Sequence, residues 1–300
     1  MPVMLMKTVL FLALGCCATW FVFLWFRAIY FQLKNRPGEG IKKFAGAVPR
    51  PLDFLIGFLA NFFDTLGIGS FATTSAALKL RNAIADEILP GTLNVGHCLP
   101  TVAQAFIFIA IVQVDVTTLV SMIVASVLGA WLGAGLVSKL PRRAIQISLG
   151  VALFCAAMLM LGSQLKLLPS GGAEYGLTST SLIIGVVGNF VLGALMTLGI
   201  GLYAPCMILV SLLGMDPRAA FPIMMGSCAF LMPVGGIRFV RSGRYSVPVA
   251  LGLAFGGIPG VLIAAFLVKS LPLEAVRILV VLVVVYTSGV LLRSARMAES

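Results

Sequence analysis

Thr65-Leu66-Gly67-Ile68-Gly69 and Thr197-Leu198-Gly199-Ile200-Gly201 are one pentapeptide written twice, 132 residues apart. The correspondence runs on as Ser70-Phe71-Ala72 and Leu202-Tyr203-Ala204. Glycine pairs weaken a helix where they fall, because they carry no side chain and cost backbone entropy. A new helix can begin after each pair, and a helix start presents free N–H groups with a partial positive charge. Two such starts converging on a pocket, with hydroxyls added, suit a small oxyanion. Thr65, Gly67, Gly69, Ser70, Thr73 and Thr74 are candidates for one wall of that site. Thr197, Gly199, Gly201, Tyr203 and Cys206 are candidates for the other. Pro205 suits the first turn of the second helix, where no amide donor is needed. The alternative is that the glycines only let helices approach closely.

Other polar groups lie nearby. Asp64 is an acidic residue deep in an apolar run, with Asn61 three residues before it on one helical face. Such a carboxylate is a functional candidate, as carrier of a coupling proton or ion, or else a structural cap for the amides of the Gly67–Ser70 turn. The segment Gly91–His97 holds Asn94 and His97, the only histidine, and Gly226-Ser227-Cys228 answers it in the second half. His97 is read either as a packed residue or as a proton relay paired with Asp64.

The elements around these groups are set by composition. The chain has 300 residues, 60% of them hydrophobic and 10% charged, with apolar runs recurring along its whole length. That is the pattern of an all-α polytopic membrane protein, here a single membrane domain over 1–300. The runs fall at 6–31, 54–67, 70–80, 98–113, 115–137, 144–162, 180–197, 202–213, 220–237, 246–268 and 274–292. A full span takes about 20 residues, so 70–80 and 202–213 are too short to cross alone.

The net charge of +11 sits in short loops between runs. It reads as topology rather than nucleic-acid binding. Basic residues crowd 31–53, 139–143, 238–244 and the tail, which places these segments in the cytoplasm, the N-terminus outside and the C-terminus inside. Runs 54–67 and 70–80 must then enter and return together. Val137-Ser138-Lys139-Leu140-Pro141 answers Val268-Lys269-Ser270-Leu271-Pro272 at an offset of 131. With about five elements per half, 54–162 and 180–293 form an inverted-topology repeat with broken or re-entrant short helices, and 6–31 is an extra N-terminal helix. Six cysteines form no Cys-x-x-Cys pair and read as small buried residues. Gly129, Gly133 and Gly135 could pack within one protomer or support a homodimer.

The paired glycine turns, Pro205, the Gly-Thr and Gly-Ser segments and the Leu-Pro loops together resemble the sulfite exporter TauE/SafE family over about residues 54–293. The resemblance implies a multi-pass bacterial inner-membrane protein that transports sulfite, sulfonates or related sulfur oxyanions, with export the expected direction. This chain differs from the common pattern in having Gly-Ile-Gly at the turn, Thr73 where many members have proline, and the intramembrane Asp64.

The reading is a secondary transporter of a small anion working by alternating access in the lipid bilayer, with no cofactor. A passive anion channel and a transporter of another small solute are the alternatives. An enzyme is not expected: there is one histidine, no His-Glu-x-x-His and no Walker-type Gly-x-x-x-x-Gly-Lys.

Overall fold

A computed structural model describes residues 2–34, 48–137, 142–165, 172–196 and 202–297. Within them the chain forms α1 (Pro2–Lys34), α2 (Pro51–Thr65), α3 (Ser70–Leu80), α4 (Leu89–Ile111), α5 (Val116–Val137), α6 (Arg142–Gln164), α7 (Ser179–Met196), α8 (Tyr203–Leu212), α9 (Ala220–Ser242), α10 (Val247–Ser270) and α11 (Leu273–Met297). Short 3-10 turns at Asp86–Ile88 and Pro217–Ala219 precede α4 and α9. After α1 the order is therefore helix, short helix, 3-10 turn and three long helices, and then the same again.

Among the described residues, six helical stretches are long and apolar enough to cross a membrane: Leu5–Phe31, Leu89–Ile111, Ser179–Met196, Pro217–Ser242, Val247–Val268 and Ile278–Arg296. The protein is a multi-pass membrane protein. The segment 89–97, outside the apolar runs because of its glycines and polar residues, forms the first turns of α4. Its polar side chains are absorbed inside the protein: Thr92 and His97 are both buried.

Two compact units interleave along the chain. The first comprises Met1–Thr65, Gly69–Phe106 and Cys228–Ala265; the second comprises Leu66–Ile68, Ile107–Ser227 and Phe266–Ser300.

In the first unit, α2 and α3 form a hairpin. At 15 and 11 residues, they measure about 22 and 16 Å, each less than a bilayer's hydrocarbon thickness of about 30 Å. The buried residues of α2 are Asp53, Ile56, Gly57, Ala60, Asn61, Asp64 and Thr65. That is one helical face with the spacing i, i+3, i+4, i+7. The hairpin is closed at its base, where Arg81 Nη1 lies 3.2 Å from Asp53 Oδ1. Asp53 Oδ2 also accepts from the Arg50 amide. Ile56 and Leu78 of the hairpin join Leu89, Leu93, Val249 and Leu253 in one apolar cluster, which fixes the hairpin to the starts of α4 and α10. Arg81→Met is expected to cost only about 0.5–1 kcal/mol in a thermal or denaturant titration, because Arg81 is a quarter exposed. Asp53→Ala is expected to cost more, about 1–3 kcal/mol, since it also strips the Arg50 amide of its acceptor.

Close helix contact in this unit depends on missing side chains. A Cβ on Gly256 would be driven into the Phe54 carbonyl, and one on Gly260 into that of Phe58. These positions of α10 thus lie backbone to backbone on α2.

The second unit uses the same device between α5 and α7. A Cβ on Gly129 would strike the Phe190 carbonyl, and one on Gly193 the Ser126 carbonyl. Gly129 therefore packs within the protomer. The α7–α8 pair is also tied at its base, by a parallel bridge between Glu174 and Met215. The Asp115 amide donates to Tyr175 O at 2.7 Å, and the Leu177 amide to Thr118 Oγ1 at 2.9 Å. On α6 and α11, Ser288 Oγ donates to Gly150 O at 2.7 Å. Among the cysteines, Cys98, Cys206 and Cys228 are buried as expected, whereas Cys16 and Cys155 are exposed on their helices.

Candidate functional site

The turn between α2 and α3 is made by glycine geometry. Gly67 and Gly69 have φ of +98° and +89°. At Gly69 ψ is 127°, in a region that side chains other than hydrogen essentially forbid. Gly69 is the N-cap of α3, and a glycine offers no side chain to cap the free amides. Asp64, one residue from the end of α2, does so instead: its Oδ1 accepts from the Ser70 amide at 2.5 Å. A charge-assisted bond at a helix start is among the stronger hydrogen bonds a carboxylate makes.

Around this cap the first unit gathers a continuous polar network. Gln104 Nε2, reaching in from α4, donates to Asp64 Oδ2 at 2.9 Å and to Thr65 Oγ1 at 2.8 Å. Thr65 Oγ1 donates in turn to Asn61 O at 2.7 Å. Asn61 Nδ2 donates to Gly57 O at 2.8 Å, which leaves Asn61 Oδ1 as an acceptor facing His97 Nδ1 at 3.1 Å. A proton on Nδ1 satisfies that oxygen, so in the neutral ring Nε2 is the acceptor. Thr74 Oγ1, 3.0 Å away, supplies the donor. Asn61, Thr65, Thr74, His97 and Gln104 are all between 0 and 1% exposed, and Asp64 is 3% exposed.

These contacts show how the expected site residues are wired. His97 does not pair with Asp64: both of its ring nitrogens are taken by the neutral partners Asn61 and Thr74. The hydroxyls of Thr65, Thr73 and Thr74 point at protein acceptors; that of Thr73 returns to Ser70 O on its own helix. Asp64 accepts from the Ser70 amide, which is the structural-cap alternative named for it from the sequence. Asn94 stays outside the network: its Nδ2 donates to Pro90 O, and its Oδ1 lies toward Gly235 on α9.

Gln104 is the functional candidate that the sequence reading missed. It sits seven residues after His97, hence on the same face of α4. A carboxamide inside an apolar run is as exceptional as a carboxylate there, and that was the available signal. Replacing His97 with leucine leaves the Asn61 carbonyl oxygen and the Thr74 hydroxyl unpaired. A loss of roughly 2–4 kcal/mol is expected in thermal melts, with Gln104→Leu close behind.

In the second unit Tyr203 and Cys206 are buried in α8, and the Cys206 amide opens the helix by donating to Leu202 O at 3.0 Å. Thr197, Gly199 and Gly201 lie outside the described residues. Ser227 is bound by Asn189 Nδ2 at 3.2 Å, and the same amide donates to Met122 O at 2.7 Å. Asn189, also missed, is the single carboxamide in the run 180–197. Its bond to Ser227 links the first and third helices of the second half, as Asn61 and His97 link those of the first. The apex of the first turn belongs to this unit too. A Cβ on Gly67 would meet Met207 Sδ at 2.8 Å and Val283 Cγ1 at 3.7 Å. Within this unit, Met207 of α8 therefore lies against Gly67.

The sequence profile of the sulfite exporter TauE/SafE family matches residues 1–160. The chain belongs to this family. The matched stretch takes in α1, the first glycine turn with Asp64, the His97 and Gln104 face of α4, and most of α6. The TauE/SafE match includes the N-terminal helix, which precedes the motifs at 54–293 that carry the resemblance, and ends before the second turn. Comparison with curated proteins and with solved structures gives no match. Membership makes the protein a member of a transporter family rather than of an enzyme family, acting on a small anion in the lipid bilayer.

Proposed function

We propose that this protein is a secondary transporter of sulfite, a sulfonate or a related sulfur oxyanion, that it works by alternating access, and that export is its direction. Membership of the TauE/SafE family is the observation that carries the substrate class. The geometry carries the kind of machine. Each half supplies a helix and a short helix that begins inside the membrane's depth, joined in the first half by the glycine turn. A broken backbone at that depth is tolerated where it is enclosed by protein or lines a polar cavity. Among the described residues nothing lies within 4 Å of where a Cβ on Gly69 would sit, so the turn is open on that side.

The anion would be held at the glycine turns by backbone amides with support from Ser70, Thr65 and Thr74, and at the second copy by the segment Thr197–Cys206. Because the threonine hydroxyls bond protein acceptors, they act by fixing the turn more than by touching the solute.

The inverted-repeat reading is supported by three features. The element order repeats after α1. Each short-helix pair is tied at its own base, by Asp53–Arg81 and by Glu174–Met215. The first helix of each half packs through glycines on the fourth helix of the other: α2 on α10, and α7 on α5. Hairpins that enter and return leave an odd number of crossings per half, which turns the second half over. Arg50 and Arg81 stand at the base of the first hairpin, and Arg241 and Arg244 at the α9–α10 link. That supports a cytoplasmic placement of this end and an outside N-terminus in a bacterial inner membrane.

Counterflow in proteoliposomes tests the proposal. Labelled sulfite or sulfonate should accumulate transiently against an excess of unlabelled substrate inside, and the rate should saturate. Flux that never saturates and shows no counterflow would identify a channel instead.

A further inference from the structure

We infer that Asp64 is the residue through which substrate movement is coupled to protons, and that Gln104 is the positioning residue that responds to its charge. The inference rests on the anion-transport reading above and adds the ion that moves with the substrate, which in export would run on the substrate's own outward gradient. Asp64 occupies the start of α3, the same N–H group that an anion at the glycine turn would use. Two negative charges a few ångströms apart in a low-dielectric site repel by several kcal/mol. An anion can therefore settle there only when the carboxylate is neutral. A proton taken up on Asp64 Oδ2 meets both conditions: it removes the charge and weakens the hold on the Ser70 amide.

Gln104 makes this a two-state element. With Asp64 ionised, its Nε2 donates to Asp64 Oδ2 and Thr65 Oγ1. A protonated Oδ2 becomes a donor and needs an acceptor. Turning the Gln104 amide over offers Oε1 and withdraws the bond to Thr65, whose hydroxyl is fastened to α2 at Asn61 O. The charge on Asp64 is thereby transmitted to the last turn of α2 and to the glycine turn itself. The proton balance is simple. One proton enters with the anion from the side of binding, rides on Asp64, and leaves to the opposite side with the anion.

The other titratable groups of the surrounding elements do not supply this switch. His97 on α4 bonds Asn61 and Thr74. Lys79 of α3, Asp53 of α2 and Arg81 stand at the base of the hairpin, Arg81 on Asp53. The stretch of α10 from Val247 to Val268 carries no titratable residue.

The test uses the whole protein in proteoliposomes loaded with a pH-sensitive dye, with methanesulfonate as the probe. Methanesulfonate stays ionised across the working range, whereas sulfite itself exchanges protons near neutrality. In the wild type an inward methanesulfonate gradient should carry protons inward, and exchange should slow as pH rises. Asp64→Asn keeps an oxygen for the Ser70 amide. In the exchange that remains, proton movement per substrate should fall at least tenfold and the pH dependence should be lost. Undiminished proton movement in Asp64→Asn would overturn the inference. Should Asp64→Asn fail to fold, Gln104→Leu decides: the pH midpoint of exchange should move by about one unit, and an unmoved midpoint overturns the coupling role. Wild-type exchange without proton movement would overturn the coupling alone. No wild-type exchange of any sulfur oxyanion would overturn the transport reading with it.

Discussion

Gly193→Ala is expected to destabilise the protein by about 3 kcal/mol or more, enough to lose most of the folded yield. The methyl group would enter the space of the Ser126 carbonyl, and its neighbour in the contact is backbone rather than a flexible side chain. Nothing there can rotate away, so α5 and α7 must part. Overpacking costs typically run to about 1–3 kcal/mol even where side chains can adjust. Separating the helices also disturbs the Asn189 bonds to Met122 and Ser227. Gly289→Ala on α11 is the control, because a Cβ there meets nothing within 4 Å. It should leave stability within about 1 kcal/mol of wild type. Detergent melting curves and monodisperse yield for the two variants check the contrast.

Gly69→Val is expected to behave differently: a protein that still folds but transports at least tenfold more slowly. There is open space for the side chain, so no clash drives the effect. The cost comes from φ of +89° at the N-cap of α3. Holding a branched residue there costs on the order of 1–3 kcal/mol. The backbone relieves that strain by rotating away from the left-handed region, which swings the Ser70 amide off Asp64 and tilts the start of α3. Substrate flux in proteoliposomes, set beside a melting curve, separates this outcome from simple unfolding. Wild-type flux in a folded Gly69→Val protein would remove the turn from the mechanism.

Much of the architecture was legible in the sequence because membrane helices are limited to a narrow range of lengths. Runs of 11 and 12 residues at 70–80 and 202–213 could not be spans, and α3 and α8 are indeed short. The basic loops lead to the expectation that the first pair enters and returns together; the structure shows that Asp53 and Arg81, at the two open ends of that pair, are in contact. The glycines announced the turn, since Gly67 and Gly69 both take positive φ.

The wiring of the polar groups was not legible. Asp64 and His97 stood out singly, yet which residue of α4 lies level with which residue of α2 depends on how the helices slide past one another. The structure sets His97 level with Asn61, and Gln104, two turns on, level with Asp64. A one-turn shift of α4 would have matched the expected pair. Gln104 and Asn189 went unnoticed because they carry no charge, although each hydrogen-bonds across helices. The glycine contacts between α2 and α10 and between α5 and α7 lie far apart in sequence, and local periodicity says nothing about them.

The central claim is that a sulfur oxyanion binds at the glycine turns. Thermal stabilisation of the purified protein tests it most directly, against sulfite, sulfate, thiosulfate, sulfoacetate, phosphate and acetate at two pH values. A ligand that binds the folded state alone raises stability as its occupancy rises. The account predicts stabilisation by one or more sulfur oxyanions, stronger at the lower pH, and sharply reduced in Gly69→Val. Stabilisation by phosphate or acetate with none from any sulfur oxyanion, or an undiminished shift in Gly69→Val, would contradict it.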